Sequence, residues 1–267
     1  MEKTEYFTYN NGEDVTKGAF RISASQVSRF FDYTSQWYRE HLLGEEGFTG
    51  NTATNLGTVV HAGIEMFIKE GRVDYSAIEN HIDAINHPEI DTFHIREQYP
   101  NMLDAILPLV EADLPEESEK FIWHELLPGI GVGGTIDALK GDTIRDWKTT
   151  SSRTLPTKFS RSYWFQQMTY AFIMKKLGVH INYIELVFVS QNEMNRVSDK
   201  TGKRLKDYPS ITSVVREEVT TENLELIESC LMLIAESVKM WQEQPEIRHI
   251  LAQDMRLKPK TPPKLFV

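Results

Sequence analysis

Residues 134–148, GTIDALKGDTIRDWK, determine the fold that the sequence predicts. Polar and apolar residues alternate on both sides of Gly141, a pattern typical of two antiparallel strands joined by a tight turn. The preceding run FIWHELL at 121–127 has the same period of two and predicts the first strand of a three-strand antiparallel meander. We expect this meander to form the centre of the fold.

The sequence after the meander predicts a crossover. A helix at about 162–177 ends before Gly178 and is followed by YIELVFVS at 183–190, an apolar run suited to a strand buried on both faces. A helix between two strands of one sheet implies a crossover and hence a mixed sheet. The run ITSVVREEV at 211–219 predicts a partner strand, and residues 221–244 predict a final helix. We therefore predict an α/β fold with a central mixed sheet flanked by helices.

The N-terminal part is predicted to be helical. Ser23 and Gln26 have the spacing of a capping box, which predicts one entry helix that stops near Gly44. A second helix is predicted at about 56–70. Residues 76–120 are predicted to form further helices that are interrupted at the prolines at positions 88, 100, 108 and 115, with the acidic stretch EADLPEESEK as a solvated face.

Charge and composition limit the class of protein. The net charge is −10, but residues 1–147 hold 11 Lys and Arg against 26 Asp and Glu, whereas residues 148–267 hold 18 against 13. A basic face for nucleic acid can therefore come from the second half of the sequence.

The single cysteine, Cys230, excludes an iron–sulfur cluster, a zinc knuckle and an internal disulfide within one chain. No run is long and apolar enough for a membrane span, so we expect a cytoplasmic protein without a membrane partner.

The meander contains residues suited to phosphodiester chemistry. Asp137 lies on one predicted strand and Asp146 on the next, so both carboxylates can converge on one hard cation. Asp146 and Lys148 are two apart and share a face. An isolated D-x-K is also typical of a salt-bridged, solvent-exposed strand, so this pattern alone leaves both interpretations open.

Four ordered motifs resemble the RecB-like branch of the PD-(D/E)XK nuclease superfamily. The segment GTIDALKGDTIRDWKTTSS resembles the G-x-I-D…(D/E)-x-K-T core of that branch, and LGTVVHAGIE at 56–65 resembles its G-T-x-x-H helix. FQQMTYAFIM at 165–174 is similar to its Q-x-x-x-Y motif, and ISASQVSRFF at 22–31 is similar to its opening helix. Some relatives have a Cys-Pro pair near that helix, and this chain has Tyr33 and Thr34 there, so no iron–sulfur cluster is expected.

The resemblance implies a site residue by residue. It implies that Asp137, Asp146, His61 and the backbone carbonyl of Trp147 bind Mg²⁺, with Mn²⁺ as a substitute, and that Lys148 acts on the attacking water or on transition-state charge. Gln166 and Tyr170 are expected to contact DNA or to organise the site. Glu65, which shares a helical face with His61, and Glu125 are second-tier carboxylate candidates. From their charge and their interleaved aromatic neighbours, we also expect DNA contacts from Arg153, Lys158 and Arg161.

The expected function is a metal-dependent DNA exonuclease of the phage recombination type, acting in recombination, repair or phage DNA processing. The expected organisation is one domain over 1–267, with a helical part at about 20–120, a catalytic core at about 121–245 and a flexible tail at about 255–267. The alternatives are a structure-selective or single-strand endonuclease acting on DNA or RNA, and a non-catalytic binding module. A recombinase or single-strand-binding partner and a homo-oligomer are further expectations.

Overall fold

A computed structural model describes residues 5–7, 16–45, 50–194, 196–198, 200–244 and 246. Its sheet contains six strands, which are β1 (Phe20–Ser23), β2 (Glu117–Leu127), β3 (Ile130–Lys140), β4 (Thr143–Thr150), β5 (Tyr183–Ser190) and β6 (Thr212–Glu218). The longer helices are α1 (Val27–Asp32), α2 (Thr34–Leu42), α3 (Thr52–Glu70), α4 (Tyr75–Asp83), α5 (Thr92–Ala112), α6 (Arg161–Lys176) and α7 (Thr221–Glu243).

The sheet is mixed, as the sequence predicts. Strands β2, β3 and β4 form the antiparallel meander, β4 and β5 pair in parallel through the α6 crossover, and β6 pairs antiparallel with β5. Strand β2 pairs with one edge of β3, and β1 and β4 share the other edge at its two ends. The sheet continues from β4 to β5 and β6. This architecture confirms the predicted α/β fold with a central mixed sheet flanked by helices.

Helices cover both faces of the sheet. Leu186 and Phe188 of β5 pack into one core with α1, α2, α6 and α7, whereas Val187 and Val189 pack into a second core with α3, α4 and α5. Successive side chains of a strand point to opposite faces, so an apolar residue at every position is expected of a doubly covered strand. The continuous apolar run of β5 is explained by this burial.

The predicted entry helix is wrong in two respects. Ser23 ends a short strand, β1, which pairs in parallel with β3, and its side chain makes no capping hydrogen bond. The helical segment that follows is broken at Tyr33, whose backbone is non-helical (φ −146°, ψ 57°). The hydroxyl of Thr34 donates to the carbonyl of Phe30 at 2.6 Å, which supports the break between α1 and α2.

The interruptions predicted at Pro100 and Pro108 are also wrong, because α5 continues through both. A proline inside a helix removes one backbone hydrogen bond, but burial of one helix face can offset that loss. Here α5 buries Ile95, Met102 and Val110 in the second core. Its close approach to α3 is visible at Gly63, where an added Cβ would lie 2.7 Å from a methyl carbon of Leu103.

The predicted tail at 255–267 lies outside the described residues. Within the described part of the chain, none of the helices has the length and apolar character needed to cross a bilayer.

Candidate active site

The site forms where β3 and β4 separate. Their pairing is limited to the three positions next to the turn, ending at Ala138 opposite Arg145. Farther along the same edge of β3, residues Ile130–Gly133 pair with β1. Backbone groups of β4 beyond Arg145 that face β3 therefore need partners other than a strand, since buried peptide groups are nearly always hydrogen-bonded.

Asp137 and His61 supply these partners at Trp147. The Trp147 N–H donates to Asp137 Oδ2 at 3.0 Å, and His61 Nε2 donates to the Trp147 carbonyl at 2.8 Å. His61 Nδ1 lies 3.3 Å from the same Asp137 oxygen. The helix α3 therefore places His61 against both strands, and it brings three of the predicted ligand groups together.

Asp146 and Lys148 form the second half of the site. They lie on one face of β4, and the Lys148 ammonium pairs with Asp146 Oδ2. Asp146 is only 1% exposed. Burial raises the pKa of Asp146 to about 6, with a further increase from Asp137, while Lys148 opposes the shift. Burial lowers the pKa of Lys148, but the carboxylates of Asp146 and Asp137 raise it by more, so its net shift is upward and it stays charged.

Helix α6 supports this pair from one side. Lys148 Nζ lies 5.1 Å from the centre of the Tyr163 ring, a cation–π distance. Gln166 Nε2 makes a long contact of 3.5 Å with Asp146 Oδ1 and lies 3.3 Å from the Tyr170 hydroxyl. Gln166 and Tyr170 are therefore placed at the site, one helical turn apart, as the Q-x-x-x-Y motif predicts.

The two second-tier glutamates have different positions. Glu65 is buried near the site and pairs with Lys69 one turn along α3 at 2.5 Å. Glu125 lies opposite Gly131, six residues from Asp137 along β3, or about 20 Å at strand spacing. Its carboxylate accepts the Gly129 N–H at 2.7 Å in the β2–β3 turn. The structure therefore does not bring Glu125 to the site.

Glu119 also lies at the candidate site, although no sequence motif includes it. It lies in β2 between Ser118, which pairs with Ala138, and Lys120, which pairs with Ile136, so it is opposite Asp137. One oxygen of Glu119, one ring nitrogen of His61 and one oxygen of Asp137 lie within 4.8 Å of one another. Burial raises the pKa of Glu119 to about 8, with further contributions from Asp137 and Glu65.

The predicted DNA-contacting cations lie beyond the end of β4. Arg153 pairs with Glu193 and lies 4.5 Å from the centre of the Tyr208 ring. Arg161 begins α6 and pairs with Asp32. Lys158 is exposed, but its neighbour Phe159 is buried in the core, which leaves that ring unavailable for stacking on a base. Both arginines already have carboxylate partners, which any phosphate would have to replace.

The donor set suits a divalent cation. Carboxylate and carbonyl oxygens are the ligands that Mg²⁺ and Mn²⁺ prefer, and Mn²⁺ also accepts an imidazole nitrogen. Asp137, Asp146 and the Trp147 carbonyl supply such oxygens, and His61 supplies the nitrogen. Four carboxylates, those of Asp137, Asp146, Glu65 and Glu119, meet two ammonium groups here, so the local charge balance also favours a cation.

The chain belongs to the PD-(D/E)XK nuclease superfamily, whose family model matches residues 21–256. A comparison with curated protein sequences finds no match. Nucleases of this superfamily use divalent metals, in agreement with the donor set described above. The chain thus belongs to a class of enzymes that hydrolyse phosphodiesters.

Three solved structures are similar to this chain. A candidate exonuclease from Eubacterium rectale has a TM-score of 0.52 at 15% identity, covering 90% of this chain and 86% of its own. An alkaline exonuclease from Laribacter hongkongensis has a TM-score of 0.39 at 14% identity, covering 93% and 100%. A phage-related exonuclease from Haemophilus somnus has a TM-score of 0.37 at 11% identity, covering 84% and 97%. At these identities the likeness concerns the fold alone.

Proposed function

We propose that this protein is a metal-dependent DNA exonuclease that hydrolyses phosphodiesters with Asp137, Asp146 and Lys148. The observation that supports this most strongly is the convergence of the Asp137 carboxylate, the Trp147 backbone and the His61 imidazole beside a buried Asp146–Lys148 pair. These ligand groups and the Lys148 ammonium beside them are what phosphodiester hydrolysis requires. A solvent-exposed ion pair is the weaker interpretation, because Asp146 is almost wholly buried.

Mg²⁺ is the proposed metal, and Mn²⁺ is the proposed substitute. When bound by Asp137, Asp146, the Trp147 carbonyl and His61, the ion supplies Lewis acidity toward the phosphate and lowers the pKa of water. Asp137 accepts the Trp147 N–H at 3.0 Å and so fixes β4 at the residue whose carbonyl would bind the ion. His61 fixes the same carbonyl from the α3 side.

Lys148 is the proposed partner of the attacking water and of the charged transition state. Its ammonium is fixed between Asp146 and the Tyr163 ring, so it is oriented before substrate binds. Its raised pKa keeps it protonated at neutral pH, which suits charge neutralisation and orientation of water better than proton abstraction. Gln166 and Tyr170 are proposed to hold Asp146 in its orientation.

DNA is the proposed substrate, with contacts from Arg153, Lys158 and Arg161. The two arginines would exchange Glu193 and Asp32 for backbone phosphates, a replacement of one oxyanion by another that keeps bidentate geometry available. The excess of cations in residues 148–267 supports a DNA-facing side despite the net charge of −10.

The same proposal includes a role in recombination, repair or phage DNA processing. It also includes a homo-oligomer, a recombinase or single-strand-binding partner, and a cytoplasmic location.

A substrate panel tests the exonuclease proposal. The wild-type protein would be incubated with end-labelled linear duplex, covalently closed circular DNA, single-stranded DNA and RNA, each with Mg²⁺, Mn²⁺ or EDTA. We expect metal-dependent loss of linear DNA and no cutting of closed circles, because an exonuclease needs an end. Cutting of closed circles would favour an endonuclease. Cleavage of RNA alone would show that RNA, and not DNA, is the substrate. No cleavage of any of these nucleic acids would favour a non-catalytic binding module.

A further inference from the structure

Glu119 has an unusual backbone for its position. Its φ is +49°, and it is the one non-glycine residue with positive φ among the residues that the structure describes. This conformation is unfavourable for a residue with a Cβ and is typical of turns, yet Glu119 lies inside β2. The pairing is in register on both sides of it, and the only shift in the β2–β3 register lies between Glu125 and Leu127. Neither a turn nor a bulge accounts for the left-handed residue.

The surroundings of the Glu119 carboxylate are mostly acidic. Asp137 lies opposite, and Glu65 and Asp146 are near enough to act on it electrostatically. Lys69 is the one cation that favours its charged form, but Lys69 pairs directly with Glu65. Within the ranges that the structure describes, no hydrogen bond or ion pair is made by the Glu119 carboxylate. A partly buried carboxyl group in such a place either keeps its proton, as the raised pKa of Glu119 indicates for the metal-free protein, or shares a cation with its neighbours.

Glu119 is close enough to share such a cation. Its carboxylate oxygen lies within 4.8 Å of both a His61 nitrogen and an Asp137 oxygen, a spacing that one ion with ligand distances of about 2.0 to 2.2 Å can span after small adjustments. The three ligands come from three elements, β2, α3 and β3. Ligands held on separate rigid elements are well suited to a defined metal position.

We propose that Glu119 is an additional carboxylate ligand of the divalent cation at this site, acting together with Asp137 and His61. Its left-handed backbone turns the side chain toward the metal, and the conformational cost is offset when the ion binds. This inference rests on the proposed function, and it adds a residue that none of the four motifs contains.

Two substitutions of Glu119 distinguish a role as a metal ligand from a purely structural role. Glu119→Gln keeps the side chain's size but removes its charge. Glu119→Gly removes the side chain and suits a positive φ, so it should stabilise the metal-free protein while weakening metal binding. Glu117→Gln is the matched control, because Glu117 is an exposed glutamate on the same strand that pairs with Lys120. A residue with only a structural role would not show these opposite effects.

The experiment measures Mn²⁺ affinity by isothermal titration calorimetry and thermal unfolding in EDTA for the wild type and the three variants. We expect Mn²⁺ to bind at least about 10-fold more weakly to both Glu119 variants. The melting temperature of Glu119→Gly in EDTA should rise by about 2 °C or more, and Glu117→Gln should match the wild type in both readouts. Mn²⁺ affinities of both Glu119 variants within twofold of the wild type would overturn the inference and leave the proposed function intact. Failure of the wild type itself to bind Mn²⁺ would overturn both.

Discussion

The carboxylate of Asp137 accepts the backbone N–H of Trp147 at 3.0 Å, across the gap where β3 and β4 no longer pair. One side chain thus replaces a missing strand contact and also offers a ligand oxygen at the same place. The separation of the two strands and the construction of the site are therefore a single structural feature, and substitutions of Asp137 should affect both stability and activity.

The two roles of Asp137 can be separated with Asp137→Asn and Asp137→Ala. Asparagine keeps an oxygen that can accept the Trp147 N–H, whereas alanine leaves that N–H without its partner. We expect Asp137→Ala to be less stable than Asp137→Asn by about 1 to 2 kcal/mol in urea unfolding with EDTA. Both variants should lose nuclease activity by about 100-fold or more, because both lack the charged ligand. Equal stability of the two variants would contradict the structural role of this hydrogen bond.

Lys148 should stabilise the metal-free protein by neutralising Asp146. Replacing Lys148 with methionine leaves a buried carboxylate without its cation, so we expect a loss of about 3 kcal/mol at pH 8. The loss should be smaller at pH 5, below the Asp146 pKa of about 6, where that carboxyl can take up a proton. The double variant Asp146→Asn with Lys148→Met should recover part of the loss. A double variant no more stable than Lys148→Met would show that the unpaired charge is not the cause.

Gln166 should affect activity more than stability. Its amide contacts Asp146 and the Tyr170 hydroxyl, so Gln166→Leu removes support of a ligand without removing the ligand. We expect a decrease of about 10- to 100-fold in the rate of DNA hydrolysis under saturating Mg²⁺. Lys175→Gln, at the exposed last turn of α6, is the control and should keep wild-type activity. A full rate in Gln166→Leu would argue against the site-organising role.

The metal-free protein should become less stable relative to Glu119→Gln as the pH rises from about 4.5 to about 8. The pKa of Glu119 is raised from 4.5 to about 8 in the folded protein, so between these values the unfolded chain has lost a proton that the folded chain keeps. The unfolded state then binds fewer protons, and stability decreases as pH rises. Urea unfolding of both proteins in EDTA across this range measures the difference. A difference that does not change with pH would contradict the raised pKa.

The sequence predicts much of the sheet, because period-two alternation and the apolar run of β5 directly reflect which faces are buried. The separation of β3 and β4 beyond the Ala138–Arg145 pair, on the side away from the turn, has no sequence signal. Asp146 and Trp147 would alternate in the same way in a fully paired hairpin. The continuation of α5 through Pro100 and Pro108 depends on burial against α3, which is a tertiary effect. The strand β1 is too short to show periodicity.

The sequence motifs predict most of the side chains that the structure brings together at the candidate site, but not Glu119. Three of the four motifs contain His61, Asp137, Asp146, Lys148, Gln166 and Tyr170, and the structure brings these side chains together. The sequence does not indicate Glu119, because the acidic stretch before Phe121 has the pattern of a solvated face. Extending the hairpin register from the Pro128–Gly129 turn places Glu119 opposite Ala138, and the register shift between Glu125 and Leu127 moves it opposite Asp137. Neither this shift nor the left-handed backbone at Glu119 can be inferred from sequence.

The most direct test of the central claim is the initial rate of nucleotide release from end-labelled linear duplex DNA in Mg²⁺, compared between wild type, Asp146→Asn and Lys175→Gln. Asparagine preserves the size of the buried side chain at 146 and removes its charge, so the comparison isolates the carboxylate. We expect Asp146→Asn to release nucleotides at least about 100-fold more slowly than the wild type, Lys175→Gln to be unaffected, and EDTA to abolish release by all three. Release by Asp146→Asn at the wild-type rate, or undiminished release in EDTA, would contradict an active site built on Asp137, Asp146 and Lys148.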